Sequence, residues 1–252
     1  MNQDVTNQTS AHKYAGEWSF AISHLEPNLE SNLESNLELR CKPPMGSSTT
    51  GREFRKRRKL VNEYLVNGDT YSGTTLEDER HGWGQYVWTD QSKYIGQWYK
   101  DQREGYGVYF YQNGDTYYGE FRNNLRCGKG QVITYARKVL YWGDWLNNKY
   151  HGHGIYNSST GEKYEGQWVN GERHGQGMWS NLHGNVYDGN WEHNIKRGKG
   201  KLTLLGEDFR VEITGIWNDN EISDGVITKI KGKDGELGIS TVKNYCGRIP
   251  TI

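Results

Sequence analysis

Histidines are the residues of this sequence that most readily suggest chemistry. His151-Gly152-His153-Gly154 puts two imidazoles two residues apart, which could be a fragment of a metal site. His81 and His174 also stand directly before a Gly-x-Gly sequence, so the histidines follow a pattern that extends beyond any one site. No set of cysteines or carboxylates at ligand spacing accompanies them. We therefore expect no metal, no cofactor and no catalytic residues, hence a protein that is not an enzyme.

Basic residues form the second set with possible chemistry. One group is a run near the N-terminus: Arg55, Lys56, Arg57, Arg58 and Lys59. The other group falls nine positions after a recurring tyrosine: Arg80, Arg103, Arg126, Arg173 and Lys196. The run could bind anionic lipid, an acidic tail or an import receptor, and the second group could form a basic ladder on hairpin tips for an anionic partner. We expect instead that the run is a solvated charged segment, and that the tips are solvated because acidic residues lie among them.

A fixed period underlies these positions. Six times the chain has Tyr-x-Gly and, eleven residues after the tyrosine, Gly-x-Gly. The tyrosines are Tyr71, Tyr94, Tyr117, Tyr141, Tyr164 and Tyr187. The period is 23 residues, once 24, and a period of this length indicates a repeat architecture.

Each repeat predicts two short strands. Tyr94, Gly96 and Trp98 are spaced by two and therefore share one face of an extended strand. A polar tip follows at residues 100–104, and the second strand begins with Gly105-x-Gly107. Paired glycines leave bare backbone for a ring, whereas several glycines per repeat would cost a helix about 1 kcal/mol each. The sequence predicts an all-β fold, an elongated open antiparallel sheet of consecutive hairpins.

Tyr-x-Gly-x-Trp, a short polar tip and Gly-x-Gly together resemble the MORN repeat family. Beyond the six full units, residues 213–217 resemble a seventh first strand, with Asp224-Gly225 in place of Gly-x-Gly. An opening second strand is expected at residues 60–66, and its first strand could be residues 14–18. The array would then contain about seven or eight repeats, with atypical units at both ends.

The domain organisation follows from this array. We expect an N-terminal region at 1–59, a repeat array at 60–230, and a cap or tail at 231–252. Within the first region, residues 14–18 would be split from the array by an insertion at 19–59. Part of this insertion repeats Asn-Leu-Glu-Ser, which is either a docking helix or an unfolded low-complexity tract.

Composition limits the protein's class and location. The chain has 18 Tyr and 10 Trp but only 33% hydrophobic residues, too few for a thick aliphatic core. A formal net charge of zero implies no general attraction to nucleic acid. The sequence shows no apolar run of membrane-spanning length, no secretory leader and no clustered cysteines. We therefore expect a cytoplasmic protein that is not transmembrane.

Two faces of the predicted sheet are candidate partner surfaces. The first carries the repeated rings: Tyr94, Trp98, Tyr117, Phe121, Tyr141, Trp145, Tyr164 and Trp168. It could accept a partner helix or a second copy of the chain, unless the rings are used up in packing repeat against repeat. On the opposite face, Tyr106, Val108 and Phe110 are bulky, which suggests that something covers this unit.

The resemblance implies a non-enzymatic scaffold that binds proteins. Chains of this size built from such repeats are similar to radial-spoke-head and related ciliary or sperm-flagellar proteins. This implies a component of the cytoskeleton, in the axoneme of a cilium or flagellum. The alternative is a membrane-apposed adaptor that binds anionic phospholipids through the basic run and the basic ladder.

Overall fold

The structure, a computed structural model, describes residues 58–136, 138–207, 209–231 and 240–247. All of these belong to one unit, Lys56–Ile252, and within these ranges every regular element is a β-strand. The strands are β1 (Arg58–Tyr64), β2 (Thr70–Leu76), β3 (Glu79–Val87), β4 (Lys93–Tyr99), β5 (Gln102–Phe110), β6 (Thr116–Arg122), β7 (Leu125–Ile133), β8 (Val139–Leu146), β9 (Lys149–Asn157), β10 (Lys163–Val169), β11 (Glu172–Ser180), β12 (Val186–Glu192), β13 (Ile195–Leu205), β14 (Phe209–Asn218), β15 (Glu221–Lys231) and β16 (Ser240–Gly247). No helix long and apolar enough to cross a membrane is found in the described part of the chain.

The sixteen strands form one sheet in chain order, and each strand pairs antiparallel with the next. The predicted all-β meander of hairpins is confirmed. β1 is the strand expected at residues 60–66, and β14 with β15 forms the expected seventh unit. β16 pairs with β15 and is the last strand of the sheet. The segment proposed as a split first strand, residues 14–18, and the insertion up to residue 57 lie outside the described residues.

The hairpin tips are shorter than the sequence suggested. Between β4 and β5 only Lys100 and Asp101 form the turn, with φ of 47° and 62°. Two consecutive positive φ values are typical of the two-residue turn whose twist matches that of paired strands. Residues 102–104, predicted as part of a polar tip, belong to β5 instead.

A line of glycines crosses the sheet from β2 to β15. At every pairing along it a glycine lies opposite a glycine, from Gly73 to Gly225. A Cβ added to Gly96 or Gly107 would collide with the ring of Tyr94, which lies over both. The second glycine of Gly-x-Gly is therefore required because the tyrosine ring occupies the space of its side chain.

The first glycine of each Gly-x-Gly has a separate role. The register shifts after Gly96, so that three residues of β5 lie opposite Gln97 in a bulge. Gly105 lies in this bulge with φ of 66°, a conformation that favours glycine. The Tyr94 hydroxyl donates to the carbonyl of Gln97 at 3.0 Å. The same bond recurs in the other five full repeats at 2.8–3.1 Å, so tyrosine and bulge stabilise each other.

Aromatic rings connect each repeat to the next on the face that carries the tyrosines, here called the first face. The Tyr94 ring meets Trp98 edge-on at 5.2 Å and Phe121 of the following repeat at 5.0 Å. The indole N–H of Trp98 donates to the carbonyl of Gly84 in the preceding repeat at 3.1 Å. Equivalent bonds are made by Trp145, Trp168, Trp191 and Trp217. The core is thus a line of rings along one face of a sheet.

Candidate functional site: the arginine row and its groove

The rings predicted to bind a partner are buried. Tyr94, Trp98, Tyr117, Phe121, Tyr141, Trp145, Tyr164 and Trp168 are each at most 5% exposed. They pack repeat against repeat, which was the alternative to partner binding, and their faces are not available to a second protein. The accessible surface of the first face is made by other residues.

The basic residues predicted on the hairpin tips lie within strands. We define the arginine row as the residues nine positions after each repeated tyrosine: Arg80, Arg103, Arg126, Tyr150, Arg173 and Lys196. Their placement on solvated tips was wrong, because the turns are only two residues long. The guanidinium carbon of Arg126 is 4.4 Å from the centroid of the Trp145 ring, and that of Arg173 is 4.4 Å from Trp191. Each cation of the row lies over rings, at cation–π distance.

The second residue of the following turn clamps each cation of the row from one side. The backbone N–H of Arg103 donates to Oδ1 of Asn124 at 2.8 Å, and the Asn124 N–H donates to the Arg103 carbonyl at 3.1 Å. The same turn residue in other repeats is Asp101, Asn148, Asn194 or Asn220. Sequence reasoning missed these residues. Their signal was an Asn or Asp two positions before the basic residue, in nearly every repeat.

Tyr150 is the exception in the row. The basic residue of this repeat, Lys149, falls one place short of the ladder, and Tyr150 holds the row position. Its ring stacks on Tyr141 with centroids 3.7 Å apart and an interplanar angle of 11°. A ring can therefore replace the guanidinium in packing, so the charge of the row is not needed for the fold at this position.

Burial disfavours positive charge at three positions of the row. Burial lowers the pKa of Arg103 and of Arg173 from the ordinary value. Burial, followed by the charge of Arg173, lowers the pKa of Lys196 to about 8. These shifts mean that the cations have lost hydration without an equivalent gain of anionic partners.

An open groove lies beside Arg103 and Arg126 on the first face. A cavity of about 250 Å³ is lined by Arg103, Arg126, Tyr109, Tyr111 and Phe121, and by the turn residues that clamp the two arginines. Arg126 Nη1 donates to the Tyr111 hydroxyl at 3.0 Å. Rings thus form the walls of the groove and guanidinium groups line it, an arrangement suited to a segment that carries both apolar and acidic side chains.

The opposite face shows the apolar character that the sequence predicted near residue 108. Val108 is 8% exposed and pairs with Ile95, which is 3% exposed. Phe110 is half-buried, and Tyr106 is 47% exposed.

The basic run near the N-terminus is only partly within the described residues. Arg58 and Lys59 lie at the start of β1, where Lys59 Nζ is 3.2 Å from Asp78 Oδ1. Arg55, Lys56 and Arg57 lie outside the described residues.

Comparisons with known proteins identify the repeat. Six stretches match the family model described as MORN repeat, at residues 71–93, 94–116, 117–132, 141–163, 164–180 and 187–204. A search of curated proteins finds no match. Among solved structures, one described as "Streptogramin B lyase structure" is 10% identical, covers 73% of this chain and 68% of that chain, and has a TM-score of 0.17. A likeness at that TM-score carries no argument.

Proposed function

This chain is a MORN-repeat protein, and from that premise we propose that it is a non-enzymatic scaffold whose groove holds a segment of a partner protein. MORN repeats are in general scaffolds for protein or lipid interaction and are not catalytic. The finer proposal is that this chain is a structural component of a cytoskeletal assembly, in the axoneme of a cilium or flagellum. Its place of action would be the cytoplasm.

The observation that supports a protein partner is the groove on the first face. A groove walled by half-buried rings offers apolar contact area, and the row beneath it adds directed hydrogen-bond donors. The rigid sheet presents these groups at a fixed spacing of about 10 Å per repeat, twice the distance between strands. An extended or helical segment of another protein can follow such a row, whereas a small molecule would contact one repeat only.

The membrane-apposed alternative loses part of its support. It required basic residues on exposed tips, and the cations of the arginine row lie over rings instead. What remains for lipid is the run that begins at residue 55, of which Lys59 is paired with Asp78. Binding of this kind would fall steeply with salt and would disappear when residues 55–59 become neutral.

The test is detergent extraction of cells that express the endogenously tagged chain, followed by imaging against a microtubule marker. We expect the chain to stay with the detergent-resistant cytoskeleton and to follow the axoneme. Tyr111→Ala removes one wall of the groove and should release the chain into the soluble fraction. Tyr64→Ala, which removes a ring that is 92% exposed on β1, is the matched control and should leave retention unchanged.

Two results would contradict the proposal. One is release of the wild-type chain together with membranes, combined with binding of the purified chain to anionic liposomes. The other is equal retention of the wild-type chain and Tyr111→Ala, after circular dichroism has shown both to be folded.

A further inference from the structure

One arginine of the row has a counter-ion within the chain. Asp101 lies in the turn of the next hairpin. Its Oδ1 accepts from the Arg80 backbone N–H at 3.0 Å and from the Arg80 Nε–H at 2.8 Å. This carboxylate forms an ion pair with a guanidinium that also lies 4.6 Å from the Trp98 ring centroid. The positive charge of Arg80 is thus neutralised by a carboxylate of the same chain.

In the next two repeats the same turn position holds a neutral amide. Asn124 accepts from the Arg103 backbone N–H at 2.8 Å, and Asn148 accepts from that of Arg126 at 2.8 Å. The hydrogen-bond geometry of the clamp is kept, but the negative charge is absent. Among the residues that the structure describes, neither Arg103 nor Arg126 forms an ion pair.

These two uncompensated guanidinium groups line the same cavity. Arg103 and Arg126 both border the 250 Å³ groove together with Tyr109, Tyr111 and Phe121. Burial lowers the pKa of Arg103, and the charge of Arg126 acts in the same direction. Each guanidinium donates to a neutral acceptor, Arg103 to the Asn124 carbonyl and Arg126 to the Tyr111 hydroxyl, so neither gains a counter-ion for the water it has lost. A carboxylate that enters would form charge-assisted hydrogen bonds, which are among the strongest in proteins.

We propose that this cavity is an anion site that takes the side-chain carboxylates of an acidic segment in the partner protein. The proposal rests on the scaffold function above and names the chemistry of the partner's anchor. Arg103 and Arg126 donate to the carboxylates, and the half-buried rings of Tyr109 and Tyr111 contact the aliphatic part of the same side chains. The guanidinium groups are recessed among rings, so a side chain can reach them more readily than the flat surface of a bilayer.

The chain itself supplies the decisive variant. Asn124→Asp combined with Asn148→Asp places carboxylates where Asp101 holds Arg80, so both arginines gain an internal counter-ion while the clamp is kept. A short fluorescein-labelled peptide rich in glutamate is the probe, read by fluorescence polarisation with the full chain. We expect the double variant to bind at least about ten-fold more weakly than wild type, equivalent to about 1.4 kcal/mol. Asn194→Asp, beside Arg173, is the matched control and should change binding by less than about two-fold.

Further arms separate the possible outcomes. A peptide with glutamine in place of glutamate should not bind. Equal binding of the two peptides to the wild-type chain would overturn the anion site yet leave the groove as a protein site. If the wild-type chain binds neither peptide, the anion site is overturned as well. Binding of inorganic phosphate or phosphoinositide vesicles with no binding of the peptide would show that the anion is a phosphoryl group, against the proposal. The cytoskeletal retention test above is independent of each of these results.

Discussion

The tyrosine row and the arginine row occupy the same face of the same sheet, yet they tolerate change differently. The tyrosine row, which consists of Tyr71, Tyr94, Tyr117, Tyr141, Tyr164 and Tyr187, is at most 2% exposed and is identical in all six repeats. Every ring covers a glycine pair and bonds its own strand. The arginine row has a tyrosine at one position and a lysine at another, and its turn partner changes between aspartate and asparagine. Strict repetition marks what holds the fold, and variation marks where binding can differ.

Packing explains why the two rows differ. A tyrosine of the row is enclosed by glycine backbone and by two edge-on rings, so no other side chain fits. Edge-to-face pairs contribute about 0.5–1.5 kcal/mol each beyond the area that they bury. A row arginine is open to the groove on one side, so its replacement changes fewer contacts. Four predictions test this contrast.

Alkaline pH should give the largest effect, because it acts on all tyrosines of the row together. Burial raises the pKa of Tyr94 and Tyr117 above the ordinary value and that of Tyr164 to about 12. The stability from these raised pKa values is complete below the unfolded value of about 10 and is lost as the pH rises towards the folded values, at about 1.4 kcal/mol per pH unit for each ring. We expect cooperative unfolding above pH about 10, measured by circular dichroism together with tyrosinate absorbance.

Lys196 works in the opposite direction over a different range. Its pKa is lowered to about 8 from 10.5, so its protonation penalty is present below pH 8 and is relieved as the pH rises to 10.5. One lysine cannot offset six tyrosines. Titration of the row tyrosines near pH 10 in a protein that stays folded would contradict the account.

Gly107→Val should give the next largest effect. The added side chain would meet the Tyr94 ring, and we expect a loss of about 3 kcal/mol in the free energy of unfolding, measured with urea. Gly154→Val repeats the experiment beneath Tyr141. If the urea midpoint stays unchanged in both variants, the strands are misplaced.

Arg126→Tyr should separate binding from stability. It copies the residue that the chain already has at position 150, where the ring stacks on Tyr141. We expect the free energy of unfolding to change by less than about 1 kcal/mol, because ring packing replaces the cation–π contact. Affinity for the acidic peptide should fall by about ten-fold. If Arg126→Tyr unfolds, the arginine row is needed for the fold as the tyrosine row is. If it binds the peptide as wild type does, the arginine row does not bind it.

Gly171→Asn should give the smallest effect, with a favourable sign. Gly171 has φ of 88°, and a Cβ placed there meets nothing within 4 Å. Asparagine tolerates positive φ and would supply the clamp that Asn124 and Asn148 supply in their repeats, here to the N–H of Tyr150. We expect a gain of about 0.5 kcal/mol, visible as a small rise in the thermal midpoint. A clear fall in the thermal midpoint would contradict a stabilising role for the turn clamp.

The fold could be predicted from the sequence because each structural feature of a repeat needs a particular residue type, and these residues recur at a fixed spacing. Gly105 reports the bulge, Gly107 the space beneath a ring, and Tyr94 the ring itself. The chain direction, the strand order and the line of glycines follow from these.

The site could not be read in the same way. Polarity at residues 102–104 does not reveal that they pair in a strand, and it assigned the arginines to tips. The sequence signal for the turn length was the recurring asparagine, a residue that tolerates the positive φ of the second turn position. The counter-ion of Arg80 comes from a turn 21 residues away, so it appears only when neighbouring hairpins are placed side by side.

The most direct measurement is an NMR titration of the full chain with the glutamate-rich peptide, observing the arginine Nε–H and tryptophan indole N–H signals. We expect the Arg103 and Arg126 signals to shift and the Arg80 signal to stay in place because Asp101 already pairs with it. We expect no shift of the indole N–H signals, since these groups are bonded to glycine carbonyls. Shifts of equal size at Arg80, or at the indoles of the buried ring line, would contradict the division between a row that holds the fold and a row that binds.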